Sequence, residues 1–260
     1  MARFFTPQTF SLDAELALDA AAARHVQVLR MQPGDGLTVF NGQGGEYAAQ
    51  VTHMGRSEVR VKVLTHDAVE REAGRAVHIA IGMPANERME WLVEKATELG
   101  VASIQPLMTE RTVLRLSGER ADKKVAHWQA IAVAACEQSG RNRVPQILPA
   151  LSWATWLAAA AKRPVQPALR CVLSVHQASV AAQAFADPAN AWTAATLHAP
   201  GLALQASSVE CICGPEGGLS PTEEAAAIAS GYQPVGLGAR VLRSETAPLA
   251  ALSLWTLARA

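Results

Sequence analysis

The chain is poor in aromatic residues and has no excess of charge of either sign. Phe, Trp and Tyr make up 5% of its 260 residues, and 23 Lys and Arg balance 23 Asp and Glu. That balance excludes a protein coated in basic charge, so any nucleic-acid surface must be a local patch. No apolar run reaches the roughly 20 residues that a membrane-spanning helix needs. Met1-Ala2-Arg3-Phe4-Phe5-Thr6-Pro7 does not have the pattern of a signal peptide, so the expected location is the cytoplasm, without a membrane partner. Cysteine is scarce: Cys136, Cys171, Cys211 and Cys213 include no C-x-x-C pair. Cys211 and Cys213 fall on one face of a strand, which favours two small buried hydrophobes over a metal or redox pair, and no metal is expected. No histidine stands in a motif. His176, at a strand end, is the one nearest the segments discussed below, and an ordinary strand-end histidine is the favoured reading. No internal repeat is found.

What is abundant is apolar side chain, 50% of the residues, enough for one large core or two modest ones. The pattern changes near residue 70. Leu37 to Asn41, Glu46 to His53 and Val59 to Leu64 are β-type runs, with Asn41-Gly42 and Gly44-Gly45 supplying turn chemistry and Met54 to Ser57 a hairpin. Val59, Val61 and Val63 alternate with Arg60, Lys62 and Leu64, giving a small antiparallel barrel or sheet with one apolar face. Thr65 to Gly74 reads as a linker. From Ala76, strands and helices alternate. Val77–Met83, Val101–Leu107 and Leu169–Val175 are buried-type strands. Glu87–Leu99 is a helix with Leu92, Val93, Ala96 and Leu99 on one stripe and Gly100 as its stop. A second helix runs from about Asp122 to Ser139, with Val125, Trp128, Ala132 and Ala135 inward. This is α/β alternation, implying a mostly parallel sheet. Residues 177–208 are Ala-rich and carry no firm pattern.

Two strand–loop–helix corners lie close together near the C-terminus. Gly214-Pro215-Glu216-Gly217-Gly218 follows the apolar run Val209–Cys213, and Leu237-Gly238-Ala239-Arg240-Val241-Leu242-Arg243-Ser244-Glu245-Thr246-Ala247 leads into an apolar helix. Such corners expose bare backbone where strands end, the place where open α/β sheets bind ligands. In the first, Ser220, Pro221 and Glu223 are explained as an N-cap, a first-turn proline and a capping box. Three glycines around Pro-Glu exceed what a turn requires and favour a small-molecule pocket. In the second, Gly236-Leu237-Gly238 only begins like a dinucleotide fingerprint, and no ribose-binding acid follows. Thr246 or Ser244 serves as N-cap of the last helix, with Glu245 near its positive end. Arg243 is left over: a cation beside a helix N-terminus is misplaced unless an anion, or a group becoming one, sits nearby.

The run GPEGGLSPTEE followed by LGARVLRSETA resembles the signature of the RsmE family, bacterial small-subunit rRNA uracil-N3 methyltransferases of the SPOUT superfamily. Arg3-Phe4-Phe5, Val28-Leu29-Arg30 with Pro33-Gly34-Asp35, Glu94 to Gly100 and Cys136-Glu137-Gln138-Ser139-Gly140-Arg141 extend the resemblance over most of the chain. The family has a proline where Ala239 stands and an alanine where Pro248 stands; neither touches Arg243. The stretch around Asp187 to Asn190 is longer than is usual there.

The resemblance implies a PUA-like RNA-binding β-barrel at residues 1–70 and a trefoil-knotted SPOUT methyltransferase domain at 74–260. It implies S-adenosylmethionine as cofactor, held by Leu173, the Gly214-Pro215-Glu216-Gly217-Gly218 loop, Leu237, Gly238, Val241, Leu242, Thr246 and Ala247. The substrate implied is a uridine N3 of 16S rRNA in the 30S subunit, with Arg243 facing the uracil, Glu245 and more weakly Glu216 as further candidates, and Arg3, Arg24, Arg30, Arg141 and Arg143 on RNA. It also implies a homodimer formed partly by the terminal helix, whose Leu249, Leu252, Leu254, Trp255 and Leu257 exceed one buried face. Two other readings stay open at this point: a silent RNA-binding or ribosome-assembly protein, and a SPOUT enzyme for another RNA base.

Overall fold

The computed structural model describes residues 2–162, 168–174 and 207–257, so His176 and the stretch around Asp187 lie outside the described residues. The chain forms two compact units, Met1–Glu72 with Val133–Val144, and Ala73–Ala132 with Pro145–Ala260. Among the described residues no helix is long and apolar enough to cross a membrane.

In the first unit, strands β1 (Arg3–Phe5), β2 (Glu15–Ala17), β3 (Gly36–Phe40), β4 (Glu46–Met54) and β5 (Val59–Asp67) form a sheet in the order β1-β3-β4-β5-β2. The three runs expected from alternation are β3, β4 and β5, and they pair antiparallel. Val59, Val61 and Val63 are fully buried while Arg60 on the opposite face is exposed. The sheet is not wholly antiparallel, because β1 joins β3 in parallel. Helix α1 (Ala20–Val28) starts where the Asp19 carboxylate accepts the Ala21 and Ala22 N–H groups at 2.8 and 3.0 Å, and it buries Ala22, Ala23 and Val26.

Ion pairs bind residues 133–144 into this unit. Arg141 forms a bidentate pair with Glu72, and Arg143 Nε donates to Glu70 at 2.6 Å. Arg3 donates to Asn142 Oδ1 at 2.6 Å and to Glu46. Hydrogen bonds from Arg71 and then Arg3 hold the Glu46 carboxyl down to about 2, far below the ordinary carboxylate range. Burial acts the other way on Cys136, pushing its thiol up to about 12.

Among the described residues the second unit is built on seven strands: β6 (Ala76–Gly82), β7 (Ser103–Met108), β8 (Gln146–Ile147), β9 (Leu151–Ser152), β10 (Ala168–Leu173), β11 (Ser208–Cys213) and β12 (Gln233–Val235). They run in the order β12-β10-β11-β6-β7-β8, with β9 also on β7, and every pairing is parallel. Helices are α2 (Asn86–Glu98), α3 (Gly118–Ser139), α4 (Trp153–Lys162), α5 (Pro221–Ala229) and α6 (Thr246–Thr256); residues of α3 from Val133 onward belong to the first unit.

Both faces of the parallel sheet are covered, which is why its strands read as continuous apolar runs. Ile79, Ile81, Cys171 and Cys211 pack on one side with Leu92, Trp128 and Leu252; Ala80, Val172 and Ile212 pack on the other with Trp156 and Tyr232. All four cysteines are free and buried. Cys171 stands in register with Cys211, whose sulfur is 3.8 Å from that of Cys213. The neighbouring Cys211 thiol and complete burial push Cys171 well up, so it stays a neutral thiol and packs as a small hydrophobe.

Helix α2 ends as expected at glycine. Gly100 adopts φ +91°, its N–H donates to Thr97 C=O, and Val101 N–H donates to Ala96 C=O, a Schellman closure.

The strand order positions the site. β11 lies on one side of β10 and β12 on the other, so the chain reverses direction across the sheet at β10. Open α/β sheets bind ligands beyond the carboxyl ends of the strands at such a reversal.

Candidate active site

A cavity of about 360 Å³ opens at the carboxyl ends of β10, β11 and β12. Leu173 and Ser174 form its floor at the end of β10, Cys213 to Leu219 one wall, and Val235, Leu237, Gly238 and Arg240 to Ser244 the other. That volume lies within the roughly 300–1,000 Å³ usual for small-molecule sites.

The first wall is a doubled-back loop. A Cβ on Gly214 would lie 2.5 Å from the Gly218 carbonyl carbon and from Leu219 N, and one on Gly82, at the end of β6, would lie 2.5 Å from Pro215 Cδ. These contacts, not flexibility, are why glycine is needed there. The loop leads into α5 through the expected capping box: Ser220 Oγ accepts Glu223 N–H at 3.3 Å, and Glu223 Oε2 accepts Ser220 N–H at 3.0 Å. Glu223 has a second role, since its Oε1 accepts the Glu110 N–H at 2.8 Å and ties the loop after β7 to the wall. Arg111 braces the same loop, its Nη1 donating to Gly217 C=O at 2.6 Å and Leu219 C=O at 3.3 Å.

The second wall is looser. Gly238 has φ +95°, and a Cβ there would meet nothing within 4 Å. Val241 is 82% exposed, and Arg240 and Arg243 are exposed as well. Among the described residues neither guanidinium has a hydrogen bond or ion pair. Helix α6 starts differently from the expectation that Thr246 or Ser244 caps it. Glu245 is the N-cap, in αR conformation and without a side-chain cap bond, and the Arg243 carbonyl closes the first turn by accepting Thr246 and Ala247 N–H, both at 3.0 Å. Four arginines (88, 111, 240 and 243) and two glutamates (216 and 224) line the cavity, leaving it net positive.

The family profile described as RNA methyltransferase domain matches residues 71–256, and that described as RNA methyltransferase PUA domain matches residues 18–64. The chain is 32% identical to ribosomal RNA small subunit methyltransferase E of Bacillus subtilis, over 88% of this chain and 84% of that protein. It is 33% identical to the protein of the same name in Synechocystis, over 93% and 73%. A crystal structure of ribosomal RNA small subunit methyltransferase E from Neisseria gonorrhoeae bound to S-adenosyl methionine superposes with TM-score 0.83 at 32% identity, covering 97% of this chain and 95% of that one. A Legionella pneumophila methyltransferase in complex with the same cofactor superposes with TM-score 0.84 at 32% identity, over 98% and 96%. This chain belongs to the ribosomal RNA small subunit methyltransferase E family.

Of the residues expected at the site of a methyltransferase E, Leu173, Gly214 to Gly218, Leu237, Gly238, Val241, Leu242, Arg243 and Ala247 all line the cavity. Thr246 is not among the lining residues. Glu245 is buried at 8% exposure, accepting the Ser244 hydroxyl at 3.1 Å. Glu216 lines the wall but faces the start of α2, where it accepts the N–H of Ala85, the N-cap, at 2.9 Å. In the first unit Arg24 and Arg30 are exposed, Arg143 is half-exposed on Glu70, and Arg3 and Arg141 are held in the pairs described above. Arg88, Arg111 and Ser174 were not expected at the cavity. For Arg88 a signal was present: it is a cation in the first turn of a helix, as Arg243 is a cation just before one.

Proposed function

We propose that this protein transfers the methyl group of S-adenosylmethionine to N3 of a uridine in 16S rRNA. The observation that carries the reading is the cavity itself: bare backbone at the ends of three parallel strands, with an unengaged guanidinium on its rim, in a chain of the methyltransferase E family. The glycine wall fits a nucleoside-bearing cofactor, since Gly214 lets the loop double back on Gly218 and Leu219 and lines the cavity with backbone rather than bulky side chains. Leu173 and the loop from Leu237 to Leu242 would enclose the cofactor's apolar surface. When bound, the cofactor supplies an electrophilic methyl on a sulfonium, so the chain's own task is alignment and charge control.

N3 of uracil becomes nucleophilic as its proton leaves to water at the open rim, and the resulting charge spreads over the two flanking carbonyl oxygens. Arg243 is placed to donate to one of them, a contribution of about 3–4 kcal/mol to the transition state. Glu245, expected as its catalytic partner, takes a positioning role by its burial and its bond to Ser244. Residues 1–70 grip the RNA and residues 74–260 carry the transfer. Arg24, Arg30 and Arg143 provide phosphate contacts, with Arg3 and Arg141 holding the surface from within. Base N3 is reached only when the nucleotide is unpaired or flipped out.

The same reading makes the C-terminal unit trefoil-knotted, which tracing residues 175–206 in a crystal structure checks. It makes the protein a cytoplasmic homodimer acting on the 30S subunit. Leu254 on α6, Leu257 at its C-cap and Trp91 on α2, which packs against α6, supply exposed apolar surface for the interface. A monomeric mass by light scattering at micromolar concentration would contradict the dimer. The activity is tested by incubating labelled S-adenosylmethionine with unmodified small subunits, naked rRNA and tRNA, then mapping the modified nucleoside. N3-methyluridine at one site in the small subunit is the expected product, and label in tRNA or on another base would overturn it.

A further inference from the structure

The four guanidinium groups at the cavity are not equivalent. Arg240 and Arg243 are unengaged among the described residues, and Arg111 braces only the loop after β11. Arg88 reaches both walls. Its Nη1 lies 3.3 Å from Glu216 Oε1 in the first corner, and its Nε lies 4.0 Å from Glu245 Oε1 in the second. Glu216 also accepts the Ala85 N–H, so one carboxylate joins the start of α2 to the glycine loop. Glu245 is buried, and Arg88 is the cation beside it. A buried carboxylate needs such a partner.

We infer that Arg88 is a positioning residue, a two-armed clamp that fixes the separation of the loops after β11 and β12 and so how tightly the methyl donor is held. The inference rests on the function proposed above. A guanidinium is suited to this because its donors lie on more than one edge of a rigid plane, so it serves two carboxylates at once; a lysine ammonium is a single point charge. Arg88 sits in the first turn of α2, where a cation is unfavourable, and Glu216 at that same helix end offsets the cost. Its side chain is 39% exposed, so solvent screens the pairs and their contribution to folding is small. The effect belongs in ligand affinity and loop order.

Calorimetric titration with S-adenosylmethionine and steady-state kinetics test this on Arg88→Gln, Arg88→Lys, Glu245→Gln and the double variant R88Q/E245Q. R88Q is expected to weaken cofactor binding by about tenfold and raise KM for the cofactor, with kcat at saturating cofactor within about twofold. R88K, which keeps the charge and the fold, should recover only part of the affinity. The double variant should bind no more weakly than R88Q alone, because R88Q already removes the Arg88–Glu245 contact that E245Q removes. Multiplying effects, R88K equal to wild type, or a loss confined to kcat would overturn the clamp. Wild-type protein that bound no S-adenosylmethionine would instead overturn the parent reading, and the clamp's purpose with it.

Discussion

In the loop after β11 a Cβ on Gly214 would press against backbone at 2.5 Å, whereas in the loop after β12 a Cβ on Gly238 would meet nothing within 4 Å. The first corner is fixed by a capping box, by Glu223 on the Glu110 N–H and by Arg111 on two carbonyls. The second has no side-chain cap at its helix and presents Arg240, Val241 and Arg243 outward. Both are glycine corners at strand ends, yet one is a mould and the other a lip. A cofactor common to every turnover suits the mould, and a large substrate that must arrive and leave suits the lip.

The largest expected effect comes from Gly214→Ala. The Gly218–Leu219 backbone that the new Cβ would strike cannot easily yield, so stability should fall by about 2–4 kcal/mol and cofactor affinity by more than about 100-fold, read by denaturant unfolding and calorimetry. Arg243→Ala comes next and separates the corners by function. Methyl transfer should drop by about 10²–10³-fold while cofactor affinity stays within about twofold, measured by single-turnover transfer and titration. Equal loss of both would make Arg243 part of the cofactor wall.

Glu223→Ala tests the brace: it removes the cap and the anchor to Glu110, with an expected cost of about 1–2 kcal/mol in unfolding experiments. The smallest effect belongs to Gly238→Ala, where only the positive φ resists a side chain, at about 1 kcal/mol of stability and little change in cofactor affinity. If Gly238→Ala proved as damaging as Gly214→Ala, the contrast between the two corners would be gone.

The same contrast explains what could be read from the sequence. β3, β4 and β5 were legible because they alternate, and the parallel strands because both faces are buried. β8 and β9, two residues each, and β1 and β2, three each, are too short to carry a period. The capping box at Ser220 was legible because its partners are three residues apart. The bond from Glu110 to Glu223 spans 113 residues, and no local pattern encodes it. Glu245 as N-cap was missed because it makes no side-chain cap bond, so residue preference had nothing to act on. The association of Val133–Val144 with the first unit rests on ion pairs such as Arg141 with Glu72, again made between distant residues. Arg88 could have been flagged by its misplacement at a helix start, but its two partners are visible only in three dimensions.

Amide hydrogen exchange with and without S-adenosylmethionine is the most direct test of the account. Protection is predicted at Gly217 and Gly218 and along 237–242 when the cofactor is added, with the first loop already slow to exchange in its absence and the second fast. Protection elsewhere in the second unit, with both loops unchanged, would contradict it.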